Sequence, residues 1–415
     1  MKSLALLVAF ALTWVAQAAP GWAADGAAPS VKPAPRIDAA IDSALKEQRI
    51  VGSVVMVSRD GKVVYQRAAG LADRDARRPM QMDTLFRLSS VTKPIVCAAV
   101  LVLVDQGKLS LDDPVSKWLP SFMPKLPNGQ APTITIRQLL THTSGIGYKF
   151  AEKLGSAYHT AGVSDGFDDA QVGLDENLKR LASAPLFSPP DGAWRYGLSI
   201  DVLGGVIEKA TGKPLQDAVA DLVTRPLGMR DTGFYTTDAA RLAAPYYDAK
   251  PVPAHMSEPQ TIPFGDGGLL VYSPSRALDA KAFPSGGASM VGTAPDVMRL
   301  LEAIRKGGAP IVSASTAESM MRNQIGKLAG PQPGIGFGYG GAVVVDPAAA
   351  LTPQSPGTWQ WGGVYGHSWF VDPARTITVV AFTNTALEGM WGKFTTDLRD
   401  AVYAELTGSG GGNAQ

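Results

Sequence analysis

The sequence predicts an α/β (α+β) fold: an antiparallel sheet flanked by helices, with a mostly helical domain inserted beside it. Strand and helix patterns occur near both ends of the chain, and the middle carries helical or irregular patterns. Such an arrangement is typical of one sheet packed with helices from both termini. A cleft between two such lobes is where small-molecule sites commonly lie.

The first 23 residues have the pattern of a signal peptide. Lys2 is followed by an apolar run that ends at Val15, and small residues precede candidate cleavage sites after Ala18 and Ala23. The apolar run is too short to span a bilayer comfortably. We therefore expect an exported protein, periplasmic or secreted, with no membrane association after cleavage.

Composition and local pattern predict the other boundaries. The α/β domain is discontinuous, and its two parts enclose the helical domain with its long loops. The predicted segments are a flexible linker (24–35), the α/β domain (36–145 and 285–406), the mostly helical domain (146–284) and a flexible tail (407–415).

Periodicity and turn residues predict the individual elements. Asp60-Gly61 joins two strand patterns and indicates a β-hairpin. Residues 234–284 are rich in Pro, Gly and Ala, and we interpret them as a long excursion that could border a site. The predicted helices are 36–50, 90–107, 134–141, 175–184, 200–211, 294–306 and 391–406, and the predicted strands are 51–57, 62–69, 342–345, 366–371 and 377–384.

Charge and cysteine content exclude several classes of protein. Lys and Arg total 38 against 37 Asp and Glu, so the chain lacks the basic surface expected of a nucleic-acid-binding protein. Cys97 is the only cysteine, which rules out an intrachain disulfide. Its apolar surroundings predict a small buried side chain.

Ser90-Val91-Thr92-Lys93 begins the predicted helix that precedes Gly107. Residues three apart on a helix share one face, so the lysine can reach the serine hydroxyl, which is too weakly acidic to act as a nucleophile unaided. The helix N-terminus also favours an oxyanion. We interpret Ser90 as the nucleophile and Lys93 as its activating group.

The same Ser-x-x-Lys spacing occurs once more, at Ser43 to Lys46. About one such tetrad is expected by chance in a chain of this composition. The second copy lies inside an amphipathic helix pattern rather than at a helix start. A solvated helix face is sufficient to explain it, and the Ser90 tetrad needs support from the rest of the chain.

Two further stretches carry residues suited to catalysis. Tyr196 precedes a predicted helix on a loop rich in Pro and Gly, and a phenol beside a lysine can accept and donate a proton. Trp361-Gly362-Gly363 combines strand residues with adjacent glycines, which allow a substrate or another backbone to approach closely. Taken alone, each stretch has a simpler explanation: a packed tyrosine for the first and a β-bulge for the second.

Together the three stretches resemble a known family. From Arg36 to Leu406 the chain is similar to the serine β-lactamase and penicillin-binding-protein-like (class C) hydrolases, most closely to the family VIII carboxylesterases. The matching motifs are the Ser-x-x-Lys box (Ser90–Lys93), the Tyr-x-Asn box (Tyr196-Gly197-Leu198), the position of the Lys-Thr-Gly box (Trp361-Gly362-Gly363) and Leu-Leu-Thr-His-Thr-Ser-Gly at 139–145.

The resemblance implies a β-lactamase/transpeptidase-like fold and a serine hydrolase that needs no cofactor or metal. Ser90 would be the nucleophile, with Lys93 and Tyr196 transferring protons. The backbone N–H groups of Ser90 and Val364 would form the oxyanion hole. The residues that would contact the substrate are Trp361, Gly362, Gly363, Leu198 and Tyr148, and further aromatic candidates for the cleft are Phe150, Tyr365 and Trp391.

Two departures from the family pattern concern specificity. Leu198 stands where β-lactamases have an amide-binding Asn, and Trp361 stands where they have a cation for the substrate carboxylate. Both changes make the cleft more apolar. We therefore expect a small-molecule substrate, a neutral short-chain carboxylic ester, with at most weak β-lactamase activity.

Other functions remain as alternatives. A class C-like β-lactamase or D,D-peptidase is the next candidate, and a catalytically silent ligand-binding protein on this fold is a third. An α/β-hydrolase would need Gly-x-Ser-x-Gly, which the chain lacks. The histidines, at 142, 159, 255 and 367, have no zinc-type spacing. His367 could act as a triad base for some serine, but it lies inside the matched strand run, where a structural role is sufficient. We interpret His142 as a packed loop residue.

Overall fold

The computed structural model describes residues 33–407. The predicted signal sequence, most of the predicted linker and most of the predicted tail lie outside these residues. In the described part of the chain, no helix has both the length and the hydropathy needed to cross a membrane. Residues 33–407 belong to one compact unit, and the predicted division into an α/β and a helical domain stays a prediction.

The α-helices between residues 33 and 407 are α1 (Pro35–Lys46), α2 (Thr92–Asp105), α3 (Ile136–Leu140), α4 (Ala157–Thr160), α5 (Leu174–Ser183), α6 (Ser199–Thr211), α7 (Leu215–Val219), α8 (Ala294–Arg305), α9 (Ala314–Met320), α10 (Glu388–Trp391) and α11 (Lys393–Thr407). Short 3₁₀ turns include Ser89–Val91.

The strands of the same range are β1 (Gly52–Arg59), β2 (Lys62–Asp73), β3 (Arg78–Pro79), β4 (Phe86–Arg87), β5 (Tyr246–Tyr247), β6 (Ala254–His255), β7 (Gln260–Phe264), β8 (Gly268–Tyr272), β9 (Val291–Gly292), β10 (Ile335–Phe337), β11 (Ala342–Val344), β12 (Trp359–Gly363), β13 (His367–Asp372), β14 (Ile377–Thr383) and β15 (Thr385–Ala386).

One eight-stranded sheet joins the two ends of the chain. Its order is β10-β11-β12-β13-β14-β1-β2-β3, and neighbouring strands are antiparallel. The junction between the N-terminal and C-terminal strands is the β1–β14 ladder, from Ser53 opposite Thr383 to Arg59 opposite Ile377. The predicted antiparallel sheet built from both ends is confirmed.

The two faces of the sheet bury different helices because side chains alternate along each strand. On the outer face, α1 and α11 pack on β1, β13 and β14 through residues such as Val55, Phe370 and Val379. On the inner face, residues such as Val54 and Trp369 face the larger core that contains α2 and α8. The sheet therefore separates the terminal helices from the nucleophile helix.

Helix α2 is buried on every side. All residues from Thr92 to Leu103 are buried, which explains why its sequence is apolar without a polar stripe. Cys97 is a buried free thiol, as predicted. Burial makes α2 a rigid base for the residues at its N-terminal end.

Several predicted helices differ from the observed ones at their ends. The helix predicted over 134–141 is only α3, because a capping box between Thr135 and Gln138 starts it late. The closing helix is divided at Gly392, where the backbone is extended. The Glu388 carboxylate accepts the Phe394 amide at 2.9 Å and begins α11 there.

Residues 234–284 contain four short strands, β5 to β8, rather than a structureless excursion. Strands β7 and β8 pair as an antiparallel hairpin, from Gln260 opposite Tyr272 to Phe264 opposite Gly268. Phe264 lines the cavity that holds Ser90. The expectation that this region borders a site is confirmed.

Candidate active site

The nucleophile candidate lies in a strained turn between β4 and α2. Ser90 is in the 3₁₀ turn, so α2 begins two residues later than Ser90 rather than at it. Ser89 has φ of +46°, an uncommon conformation for a residue with a side chain. The Ser89 hydroxyl accepts the Tyr365 amide at 3.1 Å and holds this turn against the end of β12.

Lys93 is fully buried and points at Ser90. Its Nζ donates hydrogen bonds to Ser90 Oγ at 3.1 Å, Tyr148 Oη at 2.9 Å and the Gly287 carbonyl at 2.8 Å. An ammonium has three donors, so these contacts satisfy all of them. The i,i+3 contact that the sequence predicted is present.

Tyr196 also contacts Ser90. Its hydroxyl donates to Ser90 Oγ at 2.7 Å, and Lys93 Nζ lies 4.6 Å from the centre of its ring. Lys93 and Tyr196 thus converge on one oxygen. The three residues predicted to be catalytic form one cluster, although Tyr196 lies 106 residues after Ser90 in the sequence.

His142 holds the Tyr196 loop in place. Its Nδ1 accepts the Gly197 amide at 3.3 Å, its carbonyl accepts the Arg195 amide at 2.8 Å, and its ring lies 4.8 Å from the Tyr196 ring. Burial, with Lys93 nearby, holds the pKa of His142 well below its usual value, so the ring is neutral. The prediction of a packed loop residue is confirmed.

Tyr148 contacts Lys93 directly, which the sequence did not predict. Its ring is 2% exposed and stacks on Phe150 with a centroid distance of 4.6 Å. Burial, together with Tyr196 and Asp201, raises the pKa of Tyr148 well above 10. A neutral phenol therefore contacts Lys93 and forms part of the cavity wall. The sequence feature that could have indicated this contact is the position of Tyr148, three residues after the motif at 139–145.

Asp201 is a buried carboxyl group close to Lys93. Its Oδ1 accepts the Ser285 hydroxyl at 2.5 Å, and a Cβ on Gly287 would lie only 2.6 Å from Oδ2. Burial raises the pKa of Asp201 to about 6, although Ser285 and Lys93 oppose that rise. At neutral pH this carboxylate balances the charge of Lys93. The sequence analysis assigned no role to Asp201, although it lies five residues after Tyr196 within the region that resembles the family.

The residues predicted for the oxyanion hole lie beside the nucleophile. Ser90, Val364 and Gly362 line one cavity. Gly363 does not line it: a Cβ there would come within 2.5 Å of the Leu88 carbonyl, so the glycine allows β12 to pack on the nucleophile turn. The two glycines therefore differ in role: Gly363 allows close packing on the nucleophile turn, and only Gly362 lines the cavity. That Ser90 and Val364 supply the oxyanion donors stays a prediction.

Trp361 both lines the cavity and contacts a catalytic candidate. Its indole Nε1 donates to Tyr196 Oη at 3.1 Å, and the two rings lie 5.1 Å apart. The sequence predicted only an apolar wall at this position. The structure adds a neutral hydrogen-bond donor to Tyr196 where β-lactamases are expected to carry a cation.

Leu198 requires a correction. Its side chain is 0% exposed and belongs to the main hydrophobic core, and it is not among the residues that line the cavity. It forms the N-cap of α6, where the chain turns inward. The expected contact between Leu198 and the substrate is therefore not present. Tyr365 likewise lies outside this cavity, whereas Phe150 and Trp391 line it.

His367 does not act as a base for Ser90. Its Nε2 donates to the Arg87 carbonyl at 2.8 Å, and its ring packs on Phe86 and Phe382. Burial lowers the pKa of His367 to about 4. A structural role accounts for this residue. Among residues 33–407, no group of three or more His, Cys, Asp or Glu side chains could hold a metal ion.

The cavity that contains Ser90 has a volume of about 750 Å³. Aromatic side chains surround its nucleophile end: Tyr148, Phe150, Phe167, Trp194, Tyr196, Phe264 and Trp361. Such a wall shelters neutral, apolar groups from water. The arrangement has the parts needed for acyl transfer: a nucleophile, two groups that can move its proton, and an enclosed space for an acyl group.

Comparisons with known proteins agree with this description. The model of the family described as Beta-lactamase matches residues 37–402. Esterase EstB from Burkholderia gladioli is 54% identical over 374 residues, which cover 89% of this chain and 95% of EstB. Both the sequence family and a relative of high identity thus span nearly the whole described region.

Solved structures give the same result. The structure of EstCE1, described as a hydrolase with promiscuous acyltransferase activity, matches with a TM-score of 0.86 and 47% identity over 89% of this chain and 97% of that one. Unliganded simvastatin synthase (LovD) from Aspergillus terreus matches with a TM-score of 0.70 and 24% identity over 90% and 98% of the two chains. The second likeness concerns the fold alone.

Proposed function

The chain belongs to the Beta-lactamase family, and from this premise we propose that it is a serine carboxylesterase that forms an acyl-enzyme on Ser90. It has the β-lactamase/transpeptidase-like fold and is a serine hydrolase. The observation that carries the proposal is the convergence of Lys93 and Tyr196 on Ser90 Oγ at an apolar cavity. The esterase names of EstB and the hydrolase EstCE1 support it.

The proposed reaction has two half-reactions. The reacting state of the Lys93–Tyr196 pair has one proton fewer than an ammonium with a phenol. Ser90 Oγ attacks the ester carbonyl carbon, and the Ser90 proton passes to the pair at this vacant position. The backbone N–H groups of Ser90 and Val364 receive the oxyanion. The tetrahedral intermediate then releases the alcohol, which takes the proton back, and leaves the acyl group on Oγ. Water, deprotonated by the same pair, releases the carboxylic acid and restores Ser90.

We propose that the group next to Ser90 is neutral and small. Trp361 brings a flat ring and a neutral N–H donor to the place where a cation would hold a carboxylate. Against an apolar wall an unpaired carboxylate is costly. Neutral short-chain esters therefore fit the nucleophile end of the cavity better than β-lactams or D-Ala-terminated peptides do.

We also propose that the protein is exported. The support is the sequence pattern of residues 1–23, with Lys2, the apolar run and the small residues before Ala18 and Ala23. Mass spectrometry of the mature N-terminus after expression in a bacterium with a periplasm tests this. An uncleaved N-terminus in the cytoplasmic fraction would contradict it.

One experiment separates the esterase from the β-lactamase alternative. We would measure kcat/KM for p-nitrophenyl butyrate, a chromogenic cephalosporin and a D-Ala-D-Ala peptide. The expected order places the ester first. A preference for the cephalosporin would overturn the esterase proposal in favour of a β-lactamase. Absence of turnover, with no labelling of Ser90 by a fluorophosphonate, would favour a non-catalytic binding protein.

A further inference from the structure

The cavity that begins at Ser90 continues around a strand edge to the other face of the sheet. Strand β11 pairs with β12 only at Gln360 and Trp359. Beyond that pairing, Trp361 points to the inner face, where its indole contacts Tyr196. Because side chains alternate along a strand, Gln360 and Gly362 belong to the outer face.

The strand register confirms this orientation, and Gly362 also packs against α10. A Cβ at Gly362 would lie 2.9 Å from the side chain of Met390, which belongs to α10. Across β13, Gly362 is opposite Ser368, and Ser368 is opposite Ala381. Ala381 belongs to the core that α1 and α11 form on the outer face. Gly362 therefore lies on the outer face, where a Cβ would also come within 2.6 Å of the His367 carbonyl, so only a glycine allows these neighbours to pack this closely. It lines the same cavity as Ser90 and the outer-face residues.

The outer part of the cavity has a distinct lining. We call it the outer compartment and define it by its polar residues: Thr352, Gln354, Gln360, Ser368, Thr395, Thr396 and Arg399. Hydroxyl and amide groups occur here beside the apolar outer-face residues Phe370, Val379, Ala381 and Leu398, whereas aromatic rings surround the nucleophile end. A ligand that fills both parts is thus apolar near its ester and polar at its far end.

The charge of the lining residues narrows the class of ligand that the outer compartment could bind. Among the described residues that line the cavity, Arg399 is the only one with a formal charge, and Asp and Glu are absent. Its guanidinium, 21% exposed, is paired through Nε and Nη2 with the largely exposed Asp400. Because Asp400 is largely exposed, this ion pair contributes little and leaves Arg399 able to receive a second anion.

We propose that the outer compartment is a substrate subsite that binds a carboxylate at the far end of an elongated ester, with Arg399 as its ligand. This proposal rests on the proposed esterase function and extends it. The substrate class is an ester that is neutral at the reacting carbonyl and carries a remote carboxylate on its acyl chain or its alcohol. The short esters of the proposed function occupy the nucleophile end alone.

Two substrate series test the proposal. The first contains mono-p-nitrophenyl esters of dicarboxylic acids from succinic to sebacic acid, and the second contains butyrate esters of ω-hydroxy acids of rising length. Each is compared with its methyl-capped neutral analogue. In at least one series, kcat/KM for the carboxylate should exceed that of the neutral analogue once the chain is long enough to reach Arg399.

Arg399→Gln should remove that preference, by about tenfold in kcat/KM, which is the value of one charge-assisted hydrogen bond. Hydrolysis of p-nitrophenyl butyrate should not change. Arg322→Gln is the control, because Arg322 is likewise an arginine paired with a carboxylate, that of Glu318, but lies outside the cavity. This control should retain the preference.

A second variant tests the compartment itself. Ser368→Phe should place a ring opposite Gly362 and lower kcat/KM for the long substrates while sparing butyrate, and retained butyrate activity shows that the variant is folded. If neither series shows a carboxylate preference, or if Arg399→Gln leaves it intact, the subsite is wrong and the esterase stands. If the wild type does not hydrolyse butyrate, the esterase proposal itself fails.

Discussion

The chain contains the same Ser-x-x-Lys spacing in two different environments. Ser43 lies on α1, where its hydroxyl donates to Glu47 at 2.7 Å in an exposed setting, and Lys46 is exposed. Ser90 is 7% exposed and Lys93 is buried, and both are bonded to each other and to other elements. The spacing gives a serine and a lysine a common face, and only burial with additional partners makes them chemically useful.

The largest effect should come from removing the nucleophile. Ser90→Ala should lower kcat for p-nitrophenyl butyrate by about 10⁴-fold or more, because no acyl-enzyme can form. Ser43→Ala should leave kcat unchanged, since its hydroxyl lies on α1 beyond the cavity. Steady-state kinetics with active-site titration checks both variants. Near wild-type turnover in Ser90→Ala would end the acyl-enzyme mechanism.

The second effect concerns the groups that move the proton. Lys93→Ala and Tyr196→Phe should each lower kcat by about 10²-fold or more, because both contact Ser90 Oγ. The double variant should lose far less than the product of the two losses, since the residues act on one proton. Lys46→Ala is the control and should have no effect. Strictly multiplicative losses would show that the two residues act independently.

A smaller effect should separate the two properties of Trp361. Trp361→Phe keeps a flat apolar ring and removes the N–H donated to Tyr196. We expect kcat for a neutral ester to fall about tenfold with little change in KM, the value of one buried hydrogen bond. Trp361→Lys should in addition lower kcat/KM for neutral esters and give a partial gain on cephalosporins. An unchanged kcat in Trp361→Phe would show that Trp361 contributes only its apolar ring to the cavity wall.

The smallest effect concerns the charge that balances Lys93. Burial raises the pKa of Asp201 from 3.8 to about 6, so between these values the folded protein binds more protons than the unfolded chain. The free energy of unfolding contributed by this group therefore falls as pH rises through that window. Between pH 5 and pH 7 the loss is about 1 kcal/mol.

Asp201→Asn removes this dependence. Urea unfolding of the variant and the wild type at pH 5 and pH 7 measures it, and the wild type should lose about 1 kcal/mol more than the variant across that interval. Asp165, whose pKa burial raises to about 7, contributes to both proteins alike and cancels. Identical pH dependence in both proteins would show that Asp201 does not titrate in this window. Asp42→Asn, at an exposed position of α1, is the control and should retain the wild-type difference in unfolding free energy between pH 5 and pH 7.

The sequence by itself determined the parts whose geometry is local. Helical spacing placed Lys93 within reach of Ser90, the continuous apolar run indicated that α2 is buried, and Asp60-Gly61 indicated the β1–β2 hairpin. Each depends on a few neighbouring residues whose dihedral angles fix their distances. The family motifs then identified Tyr196, although no local rule could bring it to Ser90.

Only the tertiary structure decided the contacts between segments far apart in the chain. It placed Tyr148 and Gly287 on Lys93 and buried Leu198 in the core. It also directed the Trp361 N–H at Tyr196 and brought Ser90 and Arg399 to one cavity. These outcomes depend on which faces of several elements pack together. A sequence pattern specifies which face of an element is apolar, but the partner that covers each face follows from the packing of the whole chain.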